Sequence, residues 1–262
     1  MTNSAPEAFR HDPGSYESLY RGGPAFPGAP APKAIPWDIR QAQPRLMELE
    51  ALGAITGQVL DVGCGLGDNA IYLAQRGHQV TGVDSSPTGI EQARARAAAA
   101  GVQVRFEVAD ATELTGLDRL FDTVVDSALY HCLGTDDRHA YAAALHRVTT
   151  PHARWYIYCF SEDNVNGATA PMEAVTPAGI RDTLESTGWR IDFLGPATFV
   201  CNAAGFSGSF GRLPESLLEH LPPRLAGQMR EMGARMAAIM PLLDDGRINL
   251  PSNVVHATRA DR

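Results

Sequence analysis

From Val59 onward the chain alternates short, β-branched apolar runs with stretches whose apolar positions recur at helical spacing. Residues 58–62 read as a first strand, 68–76 as a helix and 79–84 as a second strand. An alanine-rich helix over 87–100 follows, with Ser86 as N-cap, Pro87 at the first helical position and Gly101 at its end. The alternation continues through strands at 102–108 and 121–127, a helix at 136–148 and a strand at 153–160. Past 161 it is less even: a helix starts at Thr176-Pro177, and a sixth strand at 189–194 continues toward Cys201. Residues 205–250 hold a glycine/serine turn and two helical patterns, the second placing Leu225, Met229, Met232, Met236, Ile239 and Leu243 on one face. A last short strand is read at 253–258. Strand and helix in alternation imply a mostly parallel sheet covered on both faces.

Ahead of this lies a different texture. Residues 1–36 are rich in Pro, Gly and Ala, which disfavours regular structure, and read as a flexible arm. Tyr16, Leu19 and Tyr20 nevertheless form a helix-like cluster, with Trp37 following Pro36. Such aromatics either pin the arm to the body or form a lid over a ligand. Residues 37–262 then make a single domain, opened by a helix near 42–53.

At 44% hydrophobic and 20% charged residues the chain can bury a sizeable interior, and its net charge of −8 argues against a nucleic-acid partner. The cysteines (Cys64, Cys132, Cys159, Cys201) show no disulfide framework and no metal-ligand spacing, so reduced thiols and no metal are expected. Without a signal-peptide pattern or a long apolar span, the expectation is a cytoplasmic protein with no membrane partner, either monomer or homodimer.

The chemistry concentrates at 59–84. Strand one runs into Asp61-x-Gly63-x-Gly65-x-Gly67, a turn whose glycines let backbone approach a ligand, and strand two ends in Asp84. A carboxylate at that tip, with Ser85 beside it, is placed to accept from the hydroxyls of a ribose. The spacing is not the dinucleotide G-x-G-x-x-G, and the extra carboxylate of Asp61 suits a cationic ligand better than a pyrophosphate.

These residues resemble motif I of the class I S-adenosylmethionine (SAM) dependent methyltransferases. The resemblance implies a Rossmann-like seven-stranded sheet with an antiparallel last strand, for which 253–258 is the candidate, and a helical insertion at 205–250 between strands six and seven. It implies that Asp61, Gly63, Gly65 and Gly67 support the methionine part of SAM, that Asp84 binds the ribose, that Asp110 and Ala111 face the adenine, and that Asp126 and Ser127 lie by the methionine amino group. Ligands meet such sheets at the carboxyl ends of the strands. There the loop after strand four offers His131 as a candidate general base, with Tyr130 as a second catalytic candidate. Tyr16, Tyr20 and Trp37 of the arm, and Met232 and Met236 of the insertion, are candidates for the acceptor pocket. In place of the D/N-P-P-Y/F motif of base-modifying enzymes the chain has Asp126-Ser127-Ala128-Leu129, which points to a small-molecule acceptor. Arg76-Gly77-His78 through Ser86, Tyr20-Arg21-Gly22, Pro36-Trp37 and 121–127 with Tyr130-His131 resemble the thiopurine and bacterial heterocyclic toxin methyltransferases. That branch implies detoxifying methylation of O, N or S on a small hydrophobic aromatic heterocycle. A quinone or natural-product intermediate, SAM binding without turnover, and NAD-dependent oxidoreduction stay open as alternatives.

Overall fold

The computed structural model describes residues 13–161, 175–208, 211 and 213–260. In chain order the elements are α1 (Pro13–Tyr20), α2 (Pro44–Ala51), β1 (Gln58–Val62), α3 (Asp68–Gln75), β2 (Gln79–Asp84), α4 (Pro87–Ala99), β3 (Arg105–Val108), β4 (Phe121–Ser127), α5 (Thr135–Val148), β5 (Thr149–Phe160), α6 (Pro177–Ser186), β6 (Trp189–Asn202), α7 (Glu215–Leu218), α8 (Pro223–Ile239) and β7 (Arg247–Arg259). They form a seven-stranded sheet in the order β3-β2-β1-β4-β5-β7-β6. The first five strands pair in parallel, and β7 runs antiparallel between β5 and β6. This is the Rossmann-like arrangement expected, with α7 and α8 inserted between β6 and β7.

Local chemistry sets the elements. Ser86 accepts from the Gly89 N–H at 2.9 Å and Pro87 opens α4; Thr176 accepts from the Gly179 N–H at 3.0 Å and Pro177 opens α6. Period-two alternation divides the core. Val59 and Val125 join the cluster under α2, α3, α4 and α8, whereas Leu60, Val62 and Val124 face α5 and α6 with Trp155, Trp189 and Tyr141.

One strand is longer than its pattern: the last begins at Arg247 rather than 253, while β6 continues past Cys201 to Asn202, close to its expected reach. Gly195-Pro196 interrupts the apolar alternation of β6, which lies at the sheet edge, where proline is tolerated, and Pro251 sits on β7 just past its last pair with β5, Ser252 opposite Phe160. The third strand is shorter, starting at Arg105.

The expected flexible arm is ordered wherever it is described; residues 1–12 lie outside the described residues. The Glu17 carboxylate accepts from the Ser86 hydroxyl and from the Thr88 N–H and hydroxyl at 2.5, 3.2 and 2.6 Å, docking α1 on the start of α4. These contacts hold its carboxyl down at about 2. Gln92 Nε2 donates to the Tyr20 carbonyl at 2.7 Å and the Asn202 N–H to the Pro36 carbonyl at 2.6 Å.

Among the described residues no helix is long and apolar enough to cross a membrane.

Candidate active site

The strand order reverses between β1 and β4, and parallel strands splay their loops apart at such a point. A cavity of about 290 Å³ opens there, at the carboxyl ends of β1, β2 and β4. Its lining brings together Gly63, Asp84, Ser85, Asp110, Ala111, Ser127 and His131, with Tyr16, Tyr20 and Trp37 of the arm.

Asp84 is half-buried at its mouth. Oδ2 accepts from the Gly65 N–H and Oδ1 from the Ser86 N–H, both at 2.9 Å. A carboxylate has about four lone-pair sites, so each oxygen keeps room for one more donor, as a pair of vicinal hydroxyls requires. Burial raises its pKa, and the Ser86 and Gly65 N–H groups oppose that rise. Asp110 is exposed across the mouth, its Oδ1 accepting from the Thr112 N–H at 2.8 Å and the Thr112 hydroxyl at 2.7 Å. Deeper in, the Ser127 hydroxyl is buried without a hydrogen-bond partner, which leaves it a donor and acceptor for a ligand.

The three glycines divide their work. Gly63 has φ +68°, and a Cβ there would stand 2.8 Å from the Leu129 Cβ. It alone of the three lines the cavity. A Cβ on Gly65 would meet the Tyr20 hydroxyl at 2.7 Å, and one on Gly67, the N-cap of α3 with φ +82°, would meet the Phe106 ring at 2.7 Å. Gly65 and Gly67 are therefore required by the approach of the arm and of β3, a correction to the expectation of ligand approach at all three.

Four other candidates are placed away from the cavity. Asp61 shares the β1 face of Val59, so strand alternation turns it toward the first turn of α3 rather than into the site, and it is 1% exposed. Neither of its carboxylate oxygens has a hydrogen bond of good geometry. Burial and the charge of Asp126 push its pKa up to about 8, opposed by the Ala70 backbone N–H. Asp126, fully buried, folds back on its own loop: Oδ1 accepts from the Leu129 N–H at 2.9 Å and the Tyr130 N–H at 3.1 Å. Burial raises it to about 7. It shapes the loop after β4 instead of lining the cavity. Met232 and Met236 are 4% and 1% exposed in the core cluster that also holds Phe199, Cys201 and Leu250, so α8 supports the cavity wall from behind and does not roof it.

The loop after β4 separates its two catalytic candidates. Tyr130 to Cys132 form one turn of 3₁₀ helix, in which successive side chains diverge by about a third of a turn. Tyr130 points into the opposite core cluster, edge-on to Trp155 at 6.3 Å and under the Arg138 guanidinium, away from the cavity. His131 points into the cavity and stacks on Phe160 with centroids 4.1 Å apart and planes at 26°. Its Nδ1 accepts from the Phe160 N–H at 3.3 Å. A neutral ring that keeps this contact carries its proton on Nε2, where it could donate to a ligand, whereas the expected general-base role needs that contact to be given up.

Phe160, Phe199, Cys201, Phe206 and Leu250 complete the wall beyond His131 and were missed from sequence. Phe160 closes β5 at the carboxyl edge of the sheet, a position that could have flagged it. Phe199 packs edge-on against it at 5.9 Å. On the arm side, Tyr16 lies 5.5 Å from Trp37 and donates to Cys132 Sγ at 3.0 Å, while Trp37 Nε1 donates to the Tyr20 hydroxyl at 3.2 Å.

A methyltransferase-domain family model matches residues 59–152, the span from β1 into β5. The chain is 35% identical over 192 residues to a 2-heptyl-1-hydroxyquinolin-4(1H)-one methyltransferase of Mycobacteroides abscessus, a match covering 73% of this chain and 83% of that one. It is 32% identical over 194 residues to a demethylmenaquinone methyltransferase of Deinococcus radiodurans, covering 73% of each. Among solved structures it resembles, at 30% identity and a TM-score of 0.69 over 95% of this chain and 93% of the other, a protein studied for the conversion of a disulfide bond into a thioacetal group during echinomycin biosynthesis. With the glycine turn, the strand-tip Asp84 and the β7 position in the sheet, these matches show that the chain belongs to the class I SAM-dependent methyltransferases.

Proposed function

We propose that the protein methylates an O, N or S atom of a small aromatic heterocycle, of the hydroxyquinolone or thiopurine kind. The observation that carries this reading is the aromatic wall built by His131, Phe160 and Phe199, in the same cavity as Asp84 and Ser127. The similarity to a hydroxyquinolone methyltransferase supports it.

The cavity residues fit the cofactor. Asp84 would hold the ribose, Gly63 and the Ser127 hydroxyl the methionine part, and Asp110 with the Ala111 backbone the adenine. SAM, when bound, supplies a methyl group on a sulfonium, transferred in line to the acceptor. The protein's own share is mostly geometric: the aromatic wall orients the acceptor plane, and the apolar lining keeps water from the transfer. With its proton on Nε2, His131 would donate to an acceptor anion or carbonyl and fix its rotation against the aromatic wall. Tyr16, Tyr20 and Trp37 cover the cavity from the arm side, and the arm acts as a lid whose release admits ligands.

Incubating the protein with radiolabelled SAM and a panel of 1-hydroxyquinolones, thiopurines and thiophenols tests the reading. Label should pass to at least one heterocycle. A demethylmenaquinone in the panel tests the second reading, which the other relative favours. Transfer to the quinone alone, or to nothing in the panel, would refute the proposal.

A further inference from the structure

Gln43 stands at the N-cap of α2, yet its side chain does not cap that helix. Its amide crosses instead to the sheet edge: Nε2 donates to the Val200 carbonyl at 2.8 Å and Oε1 accepts from the Val200 N–H at 3.1 Å. In an antiparallel pair the N–H and C=O of one residue point the same way, and β7 lies on the other side of β6. Val200 thus presents both groups to the open edge, and Gln43 stands in for the missing strand. The Gln43 backbone N–H also donates to Asn69 Oδ1 at 2.9 Å, in the first turn of α3 just after the glycine loop. Gln43 is 7% exposed, and water cannot readily replace these bonds.

The two ends of this strut matter to the site. Val200 lies between Phe199 and Cys201, both in the cavity wall beyond His131, and Asn69 follows the loop that shapes the cofactor side. We propose that Gln43 is a positioning residue that fixes the β6 acceptor wall relative to the glycine loop, and so sets how the acceptor plane meets the transferred methyl. The role rests on the reading of that wall as the acceptor side. It predicts a loss in acceptor recognition without a loss in cofactor binding.

The test uses the full chain with Gln43→Met, which keeps length and bulk but neither hydrogen bond, and Gln43→Asn, which keeps the amide but is one methylene short. Hydrogen exchange is read at the peptide spanning 199–202, SAM affinity by calorimetry, and acceptor KM and kcat with 2-heptyl-1-hydroxyquinolin-4(1H)-one. Gln43→Met should speed exchange at Val200 and raise acceptor KM about tenfold, the scale of one or two lost neutral hydrogen bonds, with SAM affinity within about twofold. Gln43→Asn should fall between it and the parent. Unchanged exchange at Val200, or a raised exchange with unchanged KM, overturns the positioning role while the acceptor reading stands. Equal losses in SAM affinity and acceptor KM overturn it as well, since they mark general loosening. A parent enzyme that methylates no heterocycle sinks the functional reading itself, and the acceptor-wall role with it.

Discussion

Replacing Asp84 by Asn changes one atom in the part of the site that the cofactor reading leans on most. The carboxylate accepts from the Gly65 and Ser86 N–H groups at 2.9 Å each, one on either oxygen. An asparagine can satisfy only one of them, and its amide group turns donor against donor toward the other. If the remaining lone pairs serve the two ribose hydroxyls, the substitution also removes a charge-assisted hydrogen bond to the cofactor, worth about 1.5–3 kcal/mol. That is roughly a 10- to 150-fold loss of SAM affinity. Loop distortion alone could mimic this, so the assay is a cycle. Calorimetry compares S-adenosylhomocysteine with its 2′-deoxy analogue on parent and Asp84→Asn proteins, and thermal unfolding without ligand measures the loop contribution separately. Coupling between the substitution and the 2′-hydroxyl should exceed about 1 kcal/mol. An Asn variant that binds both ligands as the parent does, or that loses both equally, would refute the ribose role and leave Asp84 as a loop anchor.

Three further outcomes are expected. As a donor, His131 should cost roughly 10- to 100-fold in kcat/KM when changed to Ala, similarly for acceptors of low and high pKa; a loss confined to high-pKa acceptors would restore the base role. Asp61 and Asp126 have folded pKa values raised to about 8 and about 7, so the stability they contribute is complete below about pH 4 and is lost as pH rises through those values; between pH 6 and pH 9 the Tm of Asp61→Asn or Asp126→Asn should fall less than that of the parent, and equal falls would contradict the assignment. Met232→Ala should lower stability by about 2–5 kcal/mol in chemical denaturation, as for a buried methionine, with acceptor KM unchanged; a raised KM without destabilisation would return Met232 to the pocket.

The sequence pattern carried the sheet far better than the site because of what each depends on. Strands β1, β2 and β4 and helix α4 are set by local signals: apolar alternation, the Ser86-Pro87 cap and Gly101. The start of β7 is hidden because Pro251 mimics a break, and only its place just past the end of the β5 pairing makes a proline tolerable there. The arm shows the same limit. Its prolines argue against helix and strand but say nothing about docking, which Glu17 accomplishes on residues 69 and 71 positions away.

Within the site, two of the misplaced residues, Asp126 and Tyr130, each sit beside a residue that does line the cavity. Asp126 and Ser127 end one strand, and Tyr130 and His131 share one 3₁₀ turn, so neighbours face different ways and residue type cannot decide which enters the cavity. Chemistry made Asp126 and Tyr130 as attractive as their neighbours. Packing chose otherwise, turning Asp126 to its own loop and Tyr130 toward Trp155. Gln43 lies at the far end of the same scale: it meets Val200 across 157 residues of sequence, and no local pattern around a glutamine at an N-cap announces that contact. Chemical conspicuousness marks the neighbourhood of the cavity but not which residue enters it, and a residue that ties the cavity wall to the glycine loop is a quiet glutamine, found only once the chain has folded back on itself.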